Sequence, residues 1–257
     1  PKWSAVSPNK TDKDESQRLW DALKQTLVLF QEQRPNSQEL KKTFQLALQY
    51  SKHFLKKSER SSLLWAYLNE LGPSSISNQE IQEIEEQILS LGQDPESSLV
   101  AVRRLETDFQ KGRLSETQVF AKAKGLVASS RPNEVRARAR LIQAQILEKE
   151  FKNFKLKAPI NRISLVLAMK IEKLSKTQEA YNSALSLSSE AKVLNDSKEG
   201  LLRIYSHGIE SFQEARNQLS QEAGLVQEIT QILSTLDAQK TAIQNSTRKV
   251  SSESQSE

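Results

Sequence analysis

The chain has 257 residues, of which 37% are hydrophobic and 27% charged, with a formal net charge of +5 and no cysteine. The lack of cysteine excludes disulfides, thiolate nucleophiles and cysteine-ligated zinc. Glycine and proline number only seven each, as long helices require, because a helix interior penalises them by about 1 and about 3 kcal/mol relative to alanine.

No apolar run approaches the ~18–20 residues that cross a bilayer; the longest, Leu165 to Met169, has five. The chain starts at Pro1, so what preceded it has been lost, and the sequence leaves open whether that was a signal peptide or a lipid-anchor segment. An exported or periplasmic location is slightly favoured over a cytoplasmic one. Peripheral or lipid-anchored association with a membrane stays open.

Residues 1–11 read as a linker, with Trp3 as an aromatic that docks on the body or on a partner. From 12 to 131 the pattern predicts a series of shorter helices. The first covers about 14–33, with Leu19, Trp20, Leu23, Leu27 and Phe30 on one face. The second covers 37–57, opened by Asn36 and Glu39 at capping-box spacing. A third over 61–71 is expected to stop at Gly72-Pro73.

The fourth, 78–91, turns Ile81, Ile84, Ile88 and Leu91 inward and Glu83, Glu85 and Glu86 to solvent. Asp94-Pro95-Glu96 opens a fifth that ends at Gly112, and Ser115 to Val127 gives a sixth.

From 132 to 245 the helices lengthen. One spans Asn133 to Phe154 and is broken by Lys155 to Pro159. Apolar and small residues then recur at three and four from Ile160 to Leu194, with a turn expected at Asn195-Asp196. The recurrence resumes from Leu201 to Leu236. The two stretches predict a hairpin of helices with coiled-coil-like packing. The segment 246–257, rich in serine, lysine and glutamate, reads as a disordered tail. The expected fold is all-α: an irregular helical-hairpin solenoid or bundle with long coiled-coil-like helices at the C-terminus.

Ala180-Tyr181-Asn182-Ser183-Ala184-Leu185 resembles the second helix of a tetratricopeptide-like repeat, in which an aromatic precedes an Ala-Leu pair by three residues. The resemblance covers these six residues of the C-terminal half. It implies a helical solenoid that binds another protein on a concave face.

No catalytic, cofactor-binding or metal-ligating set emerges. His53 and His207 lie far apart with no ligand pattern around them, and no phosphate loop, nucleophile elbow or dinucleotide fingerprint is present.

Charge is more informative. Between 131 and 176 lie twelve basic and four acidic residues, a net charge of +8. Arg131, Arg136, Arg138, Arg140, Lys149 and Lys152 are therefore candidate partner-binding residues, together with Trp3. At 100° per residue Arg136 and Arg140 share a face while Arg138 points nearly opposite. The charge wraps around the helix, and only Phe151 and Phe154 offer stacking within the span, so nucleic acid is disfavoured. The leading expectation is a non-enzymatic scaffold or adaptor that binds another protein through helical surfaces. The alternative is electrostatic binding of nucleic acid or an anionic membrane by residues 131–176.

Overall fold

The computed structural model describes residues 18, 20–26, 37–92, 95–128, 130–157, 159 and 162–253. Those residues are helical or lie in turns, and no strand occurs among them. The chain is all-α. It divides into two compact units, Pro1–Ala101 and Val102–Glu257. The division by compactness thus falls upstream of the change in helix length at 131.

In the first unit, α1 is described over residues 20–26. It is followed by α2 (Ser37–Phe54), α3 (Lys57–Ser75), α4 (Asn78–Leu91) and the start of α5 (Pro95–Gln110). Phe44, Leu64, Tyr67, Leu68, Leu71, Ile84 and Ile88 fill its core. Trp20 and Leu23 form a second cluster with Ala47 and Tyr50, and Trp20 stacks on Phe54 with centroids 6.3 Å apart. Trp65 packs half-buried beside the core. Leu19, Leu27 and Phe30 lie outside the described residues, as do the segment 1–11 and the expected caps Asn36 and Asp94.

Two helix ends differ from expectation. α2 stops at Phe54, and the Lys56 amide donates to the Glu59 carboxylate at 2.8 Å, which opens α3 earlier than its apolar pattern implies. The helix also runs through Gly72-Pro73 to Ser75. A proline in the final turn removes one helical amide bond, and the extra turn delivers Ile76 to the core and Ser77 to the start of α4. Ser77 caps α4 by accepting from the Glu80 amide at 3.2 Å. Glu83 and Glu86 face solvent as expected, whereas Glu85 is buried.

The second unit takes the rest of α5, then α6 (Glu116–Leu126), α7 (Asn133–Asn153), α8 (Ile163–Leu187), α9 (Ala191–Gln218) and α10 (Ala223–Glu253). Gly112 ends α5 with φ +63. Its amide donates to Phe109 and that of Arg113 to Asp108, the two bonds of a Schellman cap. Ser115 and Gln118 form a capping box that starts α6.

α7 packs against α6, α8 and α9, and α9 packs against α8 and α10. Among the described residues three helices, not two, follow Pro159. The turn after α8 lies at Ser188–Glu190, where the Ser188 hydroxyl accepts from the Glu190 amide at 3.0 Å. Asn195-Asp196 sits inside α9, held helical by the burial of Val193 and Ser197 on either side. A second break, 219–222, interrupts the stretch expected to be continuous to Leu236. α10 extends to Glu253, past Ser246, because adding residues to an existing helix is far easier than starting one.

Gly200 of α9 lies under the Tyr181 ring of α8, so a methyl group there would overlap ring atoms. Nothing surrounds Gly125 of α6. Gly200→Ala is predicted to destabilise the protein by about 1–3 kcal/mol through overpacking, in spite of alanine's propensity advantage. Gly125→Ala should instead stabilise by up to ~1 kcal/mol. Urea unfolding of the two variants checks the opposite signs.

Candidate functional site

α7 carries most of the candidate residues and is the central helix of its unit. Val135, Ala137, Ala139, Leu141, Ile142, Ala144, Ile146 and Phe151 are buried around much of its circumference. Arg136, Arg138 and Arg140 alternate with the buried alanines and are half-buried themselves.

Their partners differ by face. Arg136 donates to Asn133 at 3.2 Å and Arg140 to Gln143 at 3.1 Å. Arg138 reaches the other side and binds Glu190 through both carboxylate oxygens, at 2.6 and 2.7 Å, and Glu106 at 3.0 Å. Burial and the neighbouring Glu190 push Glu134 above the usual carboxylate range. Burial also works against ionised Glu190, but its bonds from Arg138 hold it below that range. Burial keeps Glu106 raised despite Arg138.

The remaining candidates are also engaged. Lys149 pairs with Glu116, and Lys152 with Glu148 at 2.6 Å. Arg131 is half-buried and has a polar partner of its own. Trp3 lies outside the described residues. Lys173 and Lys176 pair with Glu150 and Glu172. Much of the +8 is therefore matched by carboxylates, several of them from outside the basic span.

Glu148, itself buried, is a junction. It accepts from Arg203 of α9 at 2.9 and 3.1 Å, from Lys152, and from the Tyr181 hydroxyl of α8. Burial alone would raise its pKa; the hydrogen bonds reverse this and hold it below the usual carboxylate range. Burial and the bond to Glu148 push the Tyr181 phenol up. Such a carboxylate is a structural tie and not a proton donor at neutral pH. Among the described residues no group of three or more His, Cys, Asp or Glu is placed to hold a metal ion.

Sequence reasoning passed over Lys170. Only 1% of it is exposed, and its ammonium donates to the carbonyls of Phe151 at 2.6 Å and Phe154 at 2.7 Å, capping the end of α7. The signal was in the register. Ile163, Lys170, Thr177 and Ala184 repeat every seven residues, interleaved with Leu167, Leu174 and Tyr181, and all are buried. Lysine thus occupies a seam position.

The first turns of α8 show the reverse. Leu165 and Met169, one turn apart, are 63% and 42% exposed. Arg162 precedes them, and Lys155 and Lys157 lie in the connection before it, all exposed. No helix among the described residues is long and apolar enough to cross a membrane. No family model, curated protein or solved structure matches the chain.

Burial and the neighbouring Lys173 push Lys170 down from an ordinary 10.5 to about 8. The unfolded chain then holds the extra proton between those values, so the site's contribution to stability rises with pH from about 8 to 10.5. Denaturant unfolding of the wild type and Lys170→Met over this range should show the wild type gaining relative to the variant. A constant difference would contradict the assignment.

Proposed function

We propose that the protein is a non-enzymatic helical adaptor that binds another protein at the start of α8. The observation that carries this reading is the exposure of Leu165 and Met169. They are the large hydrophobic side chains left outside the cores among the described residues, and they sit on the same helix as a regular buried seam. Burying each stabilises a complex by about 1.5–3 kcal/mol. Lys155, Lys157 and Arg162 rim the patch in sequence, and no carboxylate pairs with them among the described residues. An apolar centre with a cationic edge suits an acidic amphipathic segment of a partner.

A helical solenoid of tetratricopeptide-like character belongs to the same reading; its support is the antiparallel pairing of α7, α8 and α9 and the buried Tyr181 at the motif's aromatic position. The electrostatic alternative draws on fewer cations than composition suggests, since Arg138, Lys149, Lys152, Lys173 and Lys176 already serve intramolecular carboxylates. What is left, beside Leu165 and Met169, favours an anionic membrane over nucleic acid within that alternative.

A photo-crosslinking side chain at 165 is expected to give a discrete protein adduct in the cells of origin, while the same group at exposed Asn217 gives none. Leu165→Asp with Met169→Asp should lower affinity for the captured partner by roughly a hundredfold or more, the loss expected from two anchors. Lipid adducts alone, with salt-sensitive binding to anionic vesicles, would replace the adaptor reading with the membrane one.

A further inference from the structure

A cavity of about 280 Å³ opens between the end of α7, the connection 154–157 and the C-terminal half of α9. At about 30 Å³ per water it has room for roughly nine, close to the lower limit for a small-ligand site. Lys155, Lys157, Lys170 and Ser211 supply donors to it, His207 also lines it, and Glu214 is the carboxylate on its wall. Lys152 also lines it, but its charge is committed to Glu148.

Lys170 gives the cavity its direction. An ammonium carries three N–H donors. Two of them go to Phe151 and Phe154, and no third acceptor or ion-pair partner is present among the described residues. The Phe151 ring, 4.1 Å from Nζ, adds a cation–π contact but no counter-charge. A buried cation without a counter-ion is a costly arrangement, and here it borders space large enough to hold one. Ser211 lies 3.4 Å from the His207 ring nitrogen Nε2, a long contact that leaves its hydroxyl available. Burial, with the nearby Lys170, lowers His207, whose ring hydrogen-bonds to the Lys152 backbone.

We propose that this cavity is a binding site for a phosphate monoester. The charge count selects the class. Lys155, Lys157 and Lys170 against Glu214 leave two positive charges, and a phosphate monoester carries about −1.5 to −2 at neutral pH, whereas a carboxylate carries one. Lysines act on phosphate as point charges, and the Ser211 hydroxyl suits one of its remaining oxygens. The cavity shares Lys155 and Lys157 with the rim of the proposed docking patch but not Leu165 or Met169, so phosphate titration tests it apart from any protein partner.

The test is titration of the full chain with inorganic phosphate at constant ionic strength, followed by the ring resonances of the two histidines. His207 is expected to shift saturably while His53 does not. Lys155→Gln with Lys157→Gln alters two exposed side chains and leaves the fold intact. It should weaken binding roughly tenfold or more, the loss of charge-assisted hydrogen bonds. No saturable His207 shift, or an unchanged one in the double variant, would overturn the proposal. Two further arms locate the ester. Sedimentation with phosphatidylcholine vesicles containing phosphatidic acid but not phosphatidylserine, lost in the double variant, assigns a lipid headgroup. Phosphate and glycerol 3-phosphate binding without sedimentation assigns a soluble ester.

Discussion

Glu148 accepts hydrogen bonds from Lys152 on its own helix, from Tyr181 on α8 and from Arg203 on α9. The first unit repeats the chemistry with other residues. Glu80 of α4 accepts from Lys41 of α2 at 2.7 Å and from the Tyr67 hydroxyl of α3 at 2.6 Å. In each unit one carboxylate joins three helices through a tyrosine and a cation. Removing one partner of a buried pair costs about 3–5 kcal/mol, whereas exchanging the whole set for apolar groups is often neutral. The value of such a junction therefore lies in fixing which residues face each other. With its hydroxyl tied to Glu148, the Tyr181 ring lies against Gly200, and α8 and α9 approach more closely than a side chain at 200 would permit.

This economy governs the surface as well. Arg138 is held by Glu190 and Glu106, Lys149 by Glu116 and Lys152 by Glu148. These cations serve pairings within the unit. The cations without a carboxylate partner among the described residues include Lys155, Lys157, Arg162 and the inner ammonium of Lys170, near the end of α7 and the start of α8. The same stretch exposes Leu165 and Met169.

The sequence made the helices legible wherever a local signal ended them. α4 spans Asn78–Leu91 as read, Ser115 opens α6, Gly112 closes α5 in the left-handed conformation, and α7 runs from Asn133 to within a residue of Phe154. Where tertiary packing outweighs local propensity, the reading shifts. Asn195-Asp196 has the residues of a turn, but Val193 and Ser197 are buried, and the turn falls at Ser188, whose hydroxyl donates to Glu134 fifty-four residues away. The basic stretch was visible as composition; its neutralisation was not, because Glu106, Glu116 and Glu190 come from outside it. Lys170 was readable in principle from its seven-residue register with Ile163 and Thr177, a clue that only the helix seam makes meaningful.

The most direct test of the junction is amide hydrogen exchange on the full chain with Glu148→Leu, which leaves Arg203 and the Tyr181 hydroxyl without their shared acceptor. If Glu148 sets the assembly of its unit, the slowest amides of α7, α8 and α9 should lose protection together, by the equivalent of about 1–3 kcal/mol. Loss confined to the turn of α7 around residue 148, with α8 and α9 protected as in the wild type, would contradict the account.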